Sequence, residues 1–223
     1  GEKVTTMIPV PVDTDSHYLM MATREGMIKK TSTSEFANLR RNGLIAIILR
    51  DEDELVGVEL TDGYRELLLG SRLGKAIRFS ERHIRAMGRA SMGVRSMRLE
   101  PEDSVISMAV VEEDAQVLGI TANGYGKRTQ VEEYREQGRN GKGIIAMNLT
   151  EKTGPLAAQL LVRPEEDILL ITDDGTIIRT NVDDIRICGR NTQGVRLMRV
   201  AEGSQVVGVA RAEPEEEEEE EKL

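Results

Sequence analysis

Apolar positions along this chain come in short runs at strand-like spacing, each run cut off by a polar turn that ends in glycine, and the pattern recurs. Gly26, Gly74, Gly124 and Gly175 sit in the contexts ATREGMIKKT, GSRLGKAIRF, TANGYGKRTQ and TDDGTIIRTN, 48, 50 and 51 residues apart. An apolar run, a turn closed by Gly and a second β-prone run carrying a cation predict a β-hairpin in each copy. A second glycine follows 17 residues later in the first copy and 19 later in the other three, at Gly43, Gly93, Gly143 and Gly194. Each opens a short apolar strand (LIAIIL, VRSMRL, IIAMNL, VRLMRV), and each copy closes with another (LVGVEL, VISMAV, LAAQLLV, VVGVAR). Four strands per copy at about 50 residues is the period of a propeller blade, and almost no stretch shows the 3.6-residue spacing of a helix.

The predicted fold is therefore all-β, a propeller-like array with repeats over 16–62, 64–111, 115–163 and 166–212. The run VTTMIPV from Val4 to Val10 aligns with the closing strands, so it is expected to be the last strand of a repeat whose other strands are missing, and the chain to be a fragment. Blades stack cooperatively, which makes 1–212 one domain and 213–223 an acidic tail. The single cysteine, Cys188, rules out a disulfide framework and fits a reducing cytosol. Apolar stretches such as Leu44 to Leu49 are too short to span a bilayer, and the first residues show no basic-then-apolar pattern. The expectation is a soluble cytoplasmic domain. With no Trp, two Phe and four Tyr, neither the Trp-Asp propeller signature nor the aromatic platforms of a single-strand binder are present.

The net charge of −9 argues at first against a polyanionic partner. Its distribution argues the other way. The tail holds eight Glu and one Lys, and the remaining 212 residues carry 29 Lys and Arg against 31 Asp and Glu, a balance of −2. Within the windows 26–48, 74–98, 124–148 and 175–199 there are 21 of those cations and only 7 of those acids, a surplus of +14, which leaves −16 for the rest of the body. A charge in phase with the structural repeat must emerge on one face or rim, because equivalent positions of successive blades lie side by side. Four copies of one sign repel one another unless an anion uses them. Duplex DNA, with a phosphate charge about every 1.7 Å of axis, suits a rim of that kind.

Arginine outnumbers lysine 22 to 8, and its planar fork favours paired contacts to phosphate. Glycine beside a cation, at Gly88-Arg89, Gly138-Arg139, Gly141-Lys142 and Gly189-Arg190, lets backbone amides approach closely. The candidate phosphate contacts are Lys29, Lys30, Arg40 and Arg41 in the first window and Lys75, Arg78, Arg85, Arg89 and Arg95 in the second. Lys127, Arg128, Arg139 and Lys142 follow in the third, and Arg179, Arg190 and Arg196 in the fourth. No base-reading helix is evident, so binding is expected to be largely independent of sequence.

These residues resemble a known family, the C-terminal domain of DNA gyrase A, in MATREGMIKKT at 21–31, ELVGVELTDG at 54–63, ITANGYGKRT at 120–129 and GRNTQGV at 189–195. The likeness covers about 1–212. It implies a β-pinwheel, in which blades exchange a strand and a cationic outer rim wraps duplex DNA for ATP-dependent negative supercoiling. It also implies partners in the N-terminal region of gyrase A and in gyrase B, no cofactor in this chain, a monomeric isolated domain, and a nucleoid-associated place in the cytoplasm. The related C-terminal domain of topoisomerase IV is the nearest alternative, and a protein-interaction propeller with an acidic partner is the alternative of another class. The family's gyrase box is matched at five of seven positions by Gln137, Gly138, Arg139, Asn140, Gly141, Lys142 and Gly143, here in the third repeat, and is expected to be a degenerate copy.

Other chemistry finds little support. Gly124-Tyr125-Gly126-Lys127 lacks the spacing of a phosphate loop and sits at a hairpin tip, and His17, His83 and Cys188 have no metal-ligand spacing. Tyr18, Tyr64, Tyr125 and Tyr134 do not suggest a topoisomerase nucleophile, because the resemblance places that residue in a separate region, so no catalytic residue and no metal are expected. The run of Glu in 213–221 cannot bury apolar surface. It either solubilises the domain or, as a tethered polyanion, competes with DNA for the rim. Truncation after Ala212 separates the two: competition predicts tighter DNA binding at low salt, with the gain fading as salt rises, and solubilisation predicts unchanged affinity.

Overall fold

The computed structural model describes residues 4, 6–10, 16–38 and 41–212. Each repeat contributes a hairpin and a closing strand, and the last three add a short outer strand between them. The first supplies β1 (Tyr18–Thr23), β2 (Met27–Ser32) and β3 (Leu55–Thr61). The second supplies β4 (Glu66–Ser71), β5 (Lys75–Ser80), β6 (Val94–Arg95) and β7 (Val105–Val110). The third supplies β8 (Gln116–Thr121), β9 (Tyr125–Gln130), β10 (Ile144–Ile145) and β11 (Leu156–Val162), and the fourth β12 (Asp167–Thr172), β13 (Ile177–Asn181), β14 (Val195–Arg196) and β15 (Val206–Ala212).

The sheets do not coincide with the repeats. Their orders are β3-β1-β2-β6, β7-β4-β5-β10, β11-β8-β9-β14 and β15-β12-β13. The outermost strand of each of the first three blades is thus donated by the following repeat, and blade 4 has three strands among the described residues. The closing strands pack in series, β3 on β7, β7 on β11 and β11 on β15. Glu59, Met108, Gln159 and Arg211, one from each closing strand, line a common axial cavity.

The apolar cores lie between blades. Met20, Ala22 and Ile28 of blade 1 meet Leu67, Leu69, Ile77 and Phe79 of blade 2. Leu68, Ala76 and Val117 belong to the next core, and Leu118, Ile120, Ile168 and Leu170 to the one after it. A blade uses both faces of its hairpin, one in each core, which is why the hairpin strands read as nearly continuous apolar runs.

The second glycine of each copy makes the strand donation possible. Gly93 and Gly194 have φ of +89° and +76°, and a Cβ on them would stand 2.3 Å from Ile28 O and 2.4 Å from Gly126 O. A side chain there is excluded by the backbone of the preceding blade. Only two residues of each donated strand then pair with that blade, Val94 and Arg95 opposite Ile28 and Met27, and Val195 and Arg196 opposite Gly126 and Tyr125, before the chain turns inward. Ser96 N, Ala146 N and Leu197 N close over the hairpin turns by donating to Gly26 O, Gly74 O and Gly124 O, each at 2.8 Å. The expected six-residue strands are therefore two residues long. In the first copy LIAIIL forms no strand: Gly43 faces nothing within 4 Å, and the blade that this segment would edge is not among the described residues. The same reason applies to residues 4–10, whose described members form no strand and leave Met7 90% exposed.

Polar side chains also cross between blades. Lys30 on β2 pairs with Glu81 at 2.9 Å, both buried. Glu81 also accepts from Thr61 Oγ1 and Arg65 N, each at 2.8 Å, and Lys30 lies 4.3 Å from the Tyr18 ring centroid. Glu81→Ala leaves that ammonium buried without its counter-ion, at a cost of about 3–5 kcal/mol. Urea unfolding followed by circular dichroism should show the loss, and Lys30→Met in the same chain should restore much of it.

Candidate nucleic-acid interface

The two halves of each cationic window have different fates. The first half is the second hairpin strand, where Lys29, Lys30, Arg78, Lys127 and Arg128 reach into the joints between blades, and Lys75 and Arg179 pair with acids. Lys29 and Lys127, at equivalent positions, are 0% and 2% exposed. Lys29 Nζ donates to Ala46 O at 2.6 Å and to Arg89 O. Lys127 Nζ donates to Gly189 O at 2.7 Å, to Arg190 O and to Thr192 Oγ1. Each thus pegs the Gly-Arg loop of the next repeat. Arg128 is buried too, donating to Ile185 O at 2.7 Å, Gln116 Oε1 at 3.0 Å and Asp183 Oδ1 at 2.9 Å. Arg78 reaches Glu66, Val131 O and Tyr134 O. Arg179 pairs with Asp167, and Lys75 with Glu100 at 3.2 Å.

The second half of the last three windows forms the outer edge of the preceding blade. Ala86, Glu136 and Ile187 bridge in parallel to Lys30, Arg78 and Arg128, and the donated strand follows along the same edge. Segment 85–98 thus edges blade 1 with four Arg and no acid. Segment 135–148 edges blade 2 with two Arg, one Lys and one Glu, and 186–199 edges blade 3 with four Arg and no acid.

Within these edges Arg89, Arg139 and Arg190 are half-buried and act as stitches. Their Nη1 atoms donate to the carbonyls of Ile45, Arg95 and Ile145, at 3.1, 3.3 and 2.6 Å. Those carbonyls are themselves equivalent positions of successive repeats. A parallel backbone ladder runs beside them, from Ile48 N to Ser91 O, Arg98 N to Gly141 O and Asn148 N to Thr192 O. Arg85, Arg95, Lys142 and Arg196 are exposed on the edges, and Arg41 is exposed just before Gly43; Arg40 and the tail lie outside the described residues.

Four exposed edge arginines were not among the candidates: Arg98, Arg135, Arg186 and Arg199. Their signal was available in the spacing. Arg85, Arg135 and Arg186 each stand eight residues before the second glycine of their copy, and Arg98 and Arg199 five after it.

The box-like segment is a latch. Gln137 N donates to Arg78 O, Asn140 N to Ser96 O, and Arg98 N to Gly141 O. Arg139 Nε donates to His83 O at 3.1 Å, and a Cβ on Gly143 would lie 2.7 Å from Ala76 O. The Lys142 side chain is exposed and pairs with Glu100 at 3.9 Å.

Burial pushes the Lys127 ammonium down to about 8, and lowers Lys29 as well, with the Arg89 charge adding to the effect there. The unfolded chain holds the lysine proton up to about 10.4. A folded value below the unfolded one penalises the native state fully below pH 8, and the penalty is relieved as pH rises toward 10.5. Blades 2 and 4 carry Ile77 and Ile178 at this position, so an apolar replacement is compatible with the joint. Between about pH 7.5 and about pH 9.5, the native chain should gain about 1–2 kcal/mol of unfolding free energy relative to Lys127→Met, as measured in urea.

The family description "DNA gyrase C-terminal domain, beta-propeller" matches residues 17–62, 65–112, 115–157 and 166–213, in agreement with the four blades. The chain is 46% identical over 214 residues to DNA gyrase A of Escherichia coli, covering 96% of this chain and 24% of that protein. It is 41% identical over 239 residues to DNA gyrase A of Haemophilus influenzae, covering 95% and 27%. The chain thus spans about a quarter of the length of these curated relatives. Among solved structures, it matches a C-terminal domain of DNA topoisomerase IV with TM-score 0.86 and 27% identity, covering 92% of this chain and 65% of that one. A DNA gyrase A C-terminal domain matches with TM-score 0.80 and 26% identity, covering 89% and 66%. With its whole blade array accounted for, the chain belongs to the DNA gyrase C-terminal domain family.

Proposed function

We propose that this domain binds duplex DNA along the outer edges of its blades, largely without regard to sequence, and bends it for delivery to the strand-passing region of a DNA gyrase, where gyrase A and gyrase B act together. The observation that carries this reading is the acid-free, in-phase edge: Arg85, Arg95 and Arg98 on blade 1 and Arg186, Arg196 and Arg199 on blade 3 are exposed and in no ion pair among the described residues. Bending a 20–30 bp segment by 40–90° costs on the order of 1–6 kcal/mol, and contacts spread over several blades offset it in small increments. Curvature is thereby built up blade by blade. Nothing in this role asks the chain to make or break a bond.

If one or two phosphates are neutralised per blade, about 4–8 in all, log K for random-sequence duplex DNA should fall against log salt with a slope of roughly −4 to −7. Replacing Arg85, Arg95 and Arg98 together by Ala should flatten that slope by about 2–3. Replacing Arg24, Arg50 and Arg65, which pair with Glu54, Glu25 and Asp62 away from the edges, should leave it nearly unchanged. Equal effects of the two triple variants would show that the phasing of charge is incidental.

A further inference from the structure

Blade 3 differs from its neighbours at the corner where the donated strand meets the hairpin. Tyr125, the first residue of β9, stands opposite Arg196 of β14. Arg196 donates to Tyr125 Oη from Nε at 3.2 Å and from Nη2 at 2.8 Å. Its guanidinium carbon lies 5.3 Å from the ring centroid, and Lys152 Nζ lies 5.4 Å from the same centroid. Because Oη accepts both of these bonds, its own proton is left to donate elsewhere. The hydrogen bonds from Arg196, with the Arg196 and Lys152 charges, hold this hydroxyl below the usual tyrosine range.

These groups line a pocket of about 390 Å³ together with Asn123, Arg199 and Ser204, and no carboxylate lines it. Among the described residues, Lys152, Arg196 and Arg199 make no ion pair. The corresponding corners elsewhere are neutralised or incomplete. In blade 2 Lys75 stands opposite Ile145, and Glu100 sits 3.2 Å from its ammonium. In blade 1 Met27 stands opposite Arg95. Nine residues after Gly43 and Gly93 the chain carries Glu52 and Glu102, where after Gly143 it carries Lys152. Behind that lining, the Asp173 carboxylate is taken up by Ser204 Oγ and Gln205 N. Three cations and a hydroxyl donor with no acid in the lining suit a tetrahedral oxyanion.

We propose that this pocket is a discrete phosphate seat, occupied by one phosphodiester group of the bound duplex; the source of that phosphate rests on the DNA-binding reading above. Lys152, Arg199, the free Nη1 of Arg196 and the Tyr125 hydroxyl supply its donors. Arg85, Arg95, Arg98, Arg135 and Arg186 belong to no such pocket, whereas this cluster holds a single phosphate in place and gives the duplex a fixed point on blade 3.

The test has two arms on the full chain. In the first, inorganic phosphate is titrated while the ring signals of the four tyrosines are followed by NMR; the Tyr125 signals should shift and saturate, and should stay still in Lys152→Ala/Arg199→Ala. In the second, duplex DNA affinity is compared between that double variant and Arg163→Ala/Arg211→Ala, which removes equal charge from residues paired with Glu112 and Glu166. The pocket variant should lose about 10-fold more affinity and about 1–2 in salt slope. Equal losses together with no saturable phosphate shift would overturn the seat and leave the rim reading standing. A saturating shift with equal DNA losses would overturn the assignment to DNA and point to a free phosphate compound. A saturating shift in a chain that binds no DNA would keep the seat and sink the wrapping proposal.

Discussion

The rest of this structure depends on one exchange: each repeat gives its outer strand to the blade before it. A three-stranded blade has two apolar faces and an open edge, and it can bury neither alone. Donation closes the edge with two residues and carries the next repeat's chain across the joint. Its geometry is set where Gly93 and Gly194 press against Ile28 O and Gly126 O. The apolar cores lie in the same joints, so strand exchange and core burial reinforce each other between nearest neighbours, as in other repeat arrays.

Crossing the joint also requires polar fastening. Lys29 and Lys127 peg the crossing loops, the Lys30–Glu81 pair and the Arg128 fork bridge adjacent blades, and Arg89, Arg139 and Arg190 stitch one outer segment to the next. Cations serve here because a loop that crosses another blade presents carbonyl oxygens that have lost their strand partners, and an ammonium or guanidinium satisfies two or three of them at once. Much of the periodic positive charge is therefore structural. What stays exposed is concentrated on the outer edges, those of blades 1 and 3 carrying no acid.

The repetition also makes departures from it informative. Box-like residues 137–143 close the joint between blades 1 and 2 much as their counterparts at 188–194 close the next one, so their glycines and Arg139 have backbone work to do whatever else the loop contacts. The corner at Tyr125 is the opposite case, because no joint needs three unpaired cations there. A feature that the fold does not require, and that the neighbouring blades lack, is where a function specific to one blade is to be sought.

The hairpins, the blade period and the phase of the charge were legible in the sequence, because each rests on local chemistry: glycine at a left-handed turn, β-prone runs of fixed length, cations at a constant offset. The family likeness added strand exchange and a cationic rim. Which cations would be free was not legible. Lys29 and Arg85 lie in equally basic stretches, and only the packing of segments some 60 residues apart puts one under a loop and the other on an edge. The same holds for LIAIIL, whose composition is that of a strand and whose partner has to come from another blade. By itself the sequence determined the repeating unit and its sign of charge; the tertiary structure decided which blade each segment completes and which charges face solvent, because both are set by contacts between repeats and not within them.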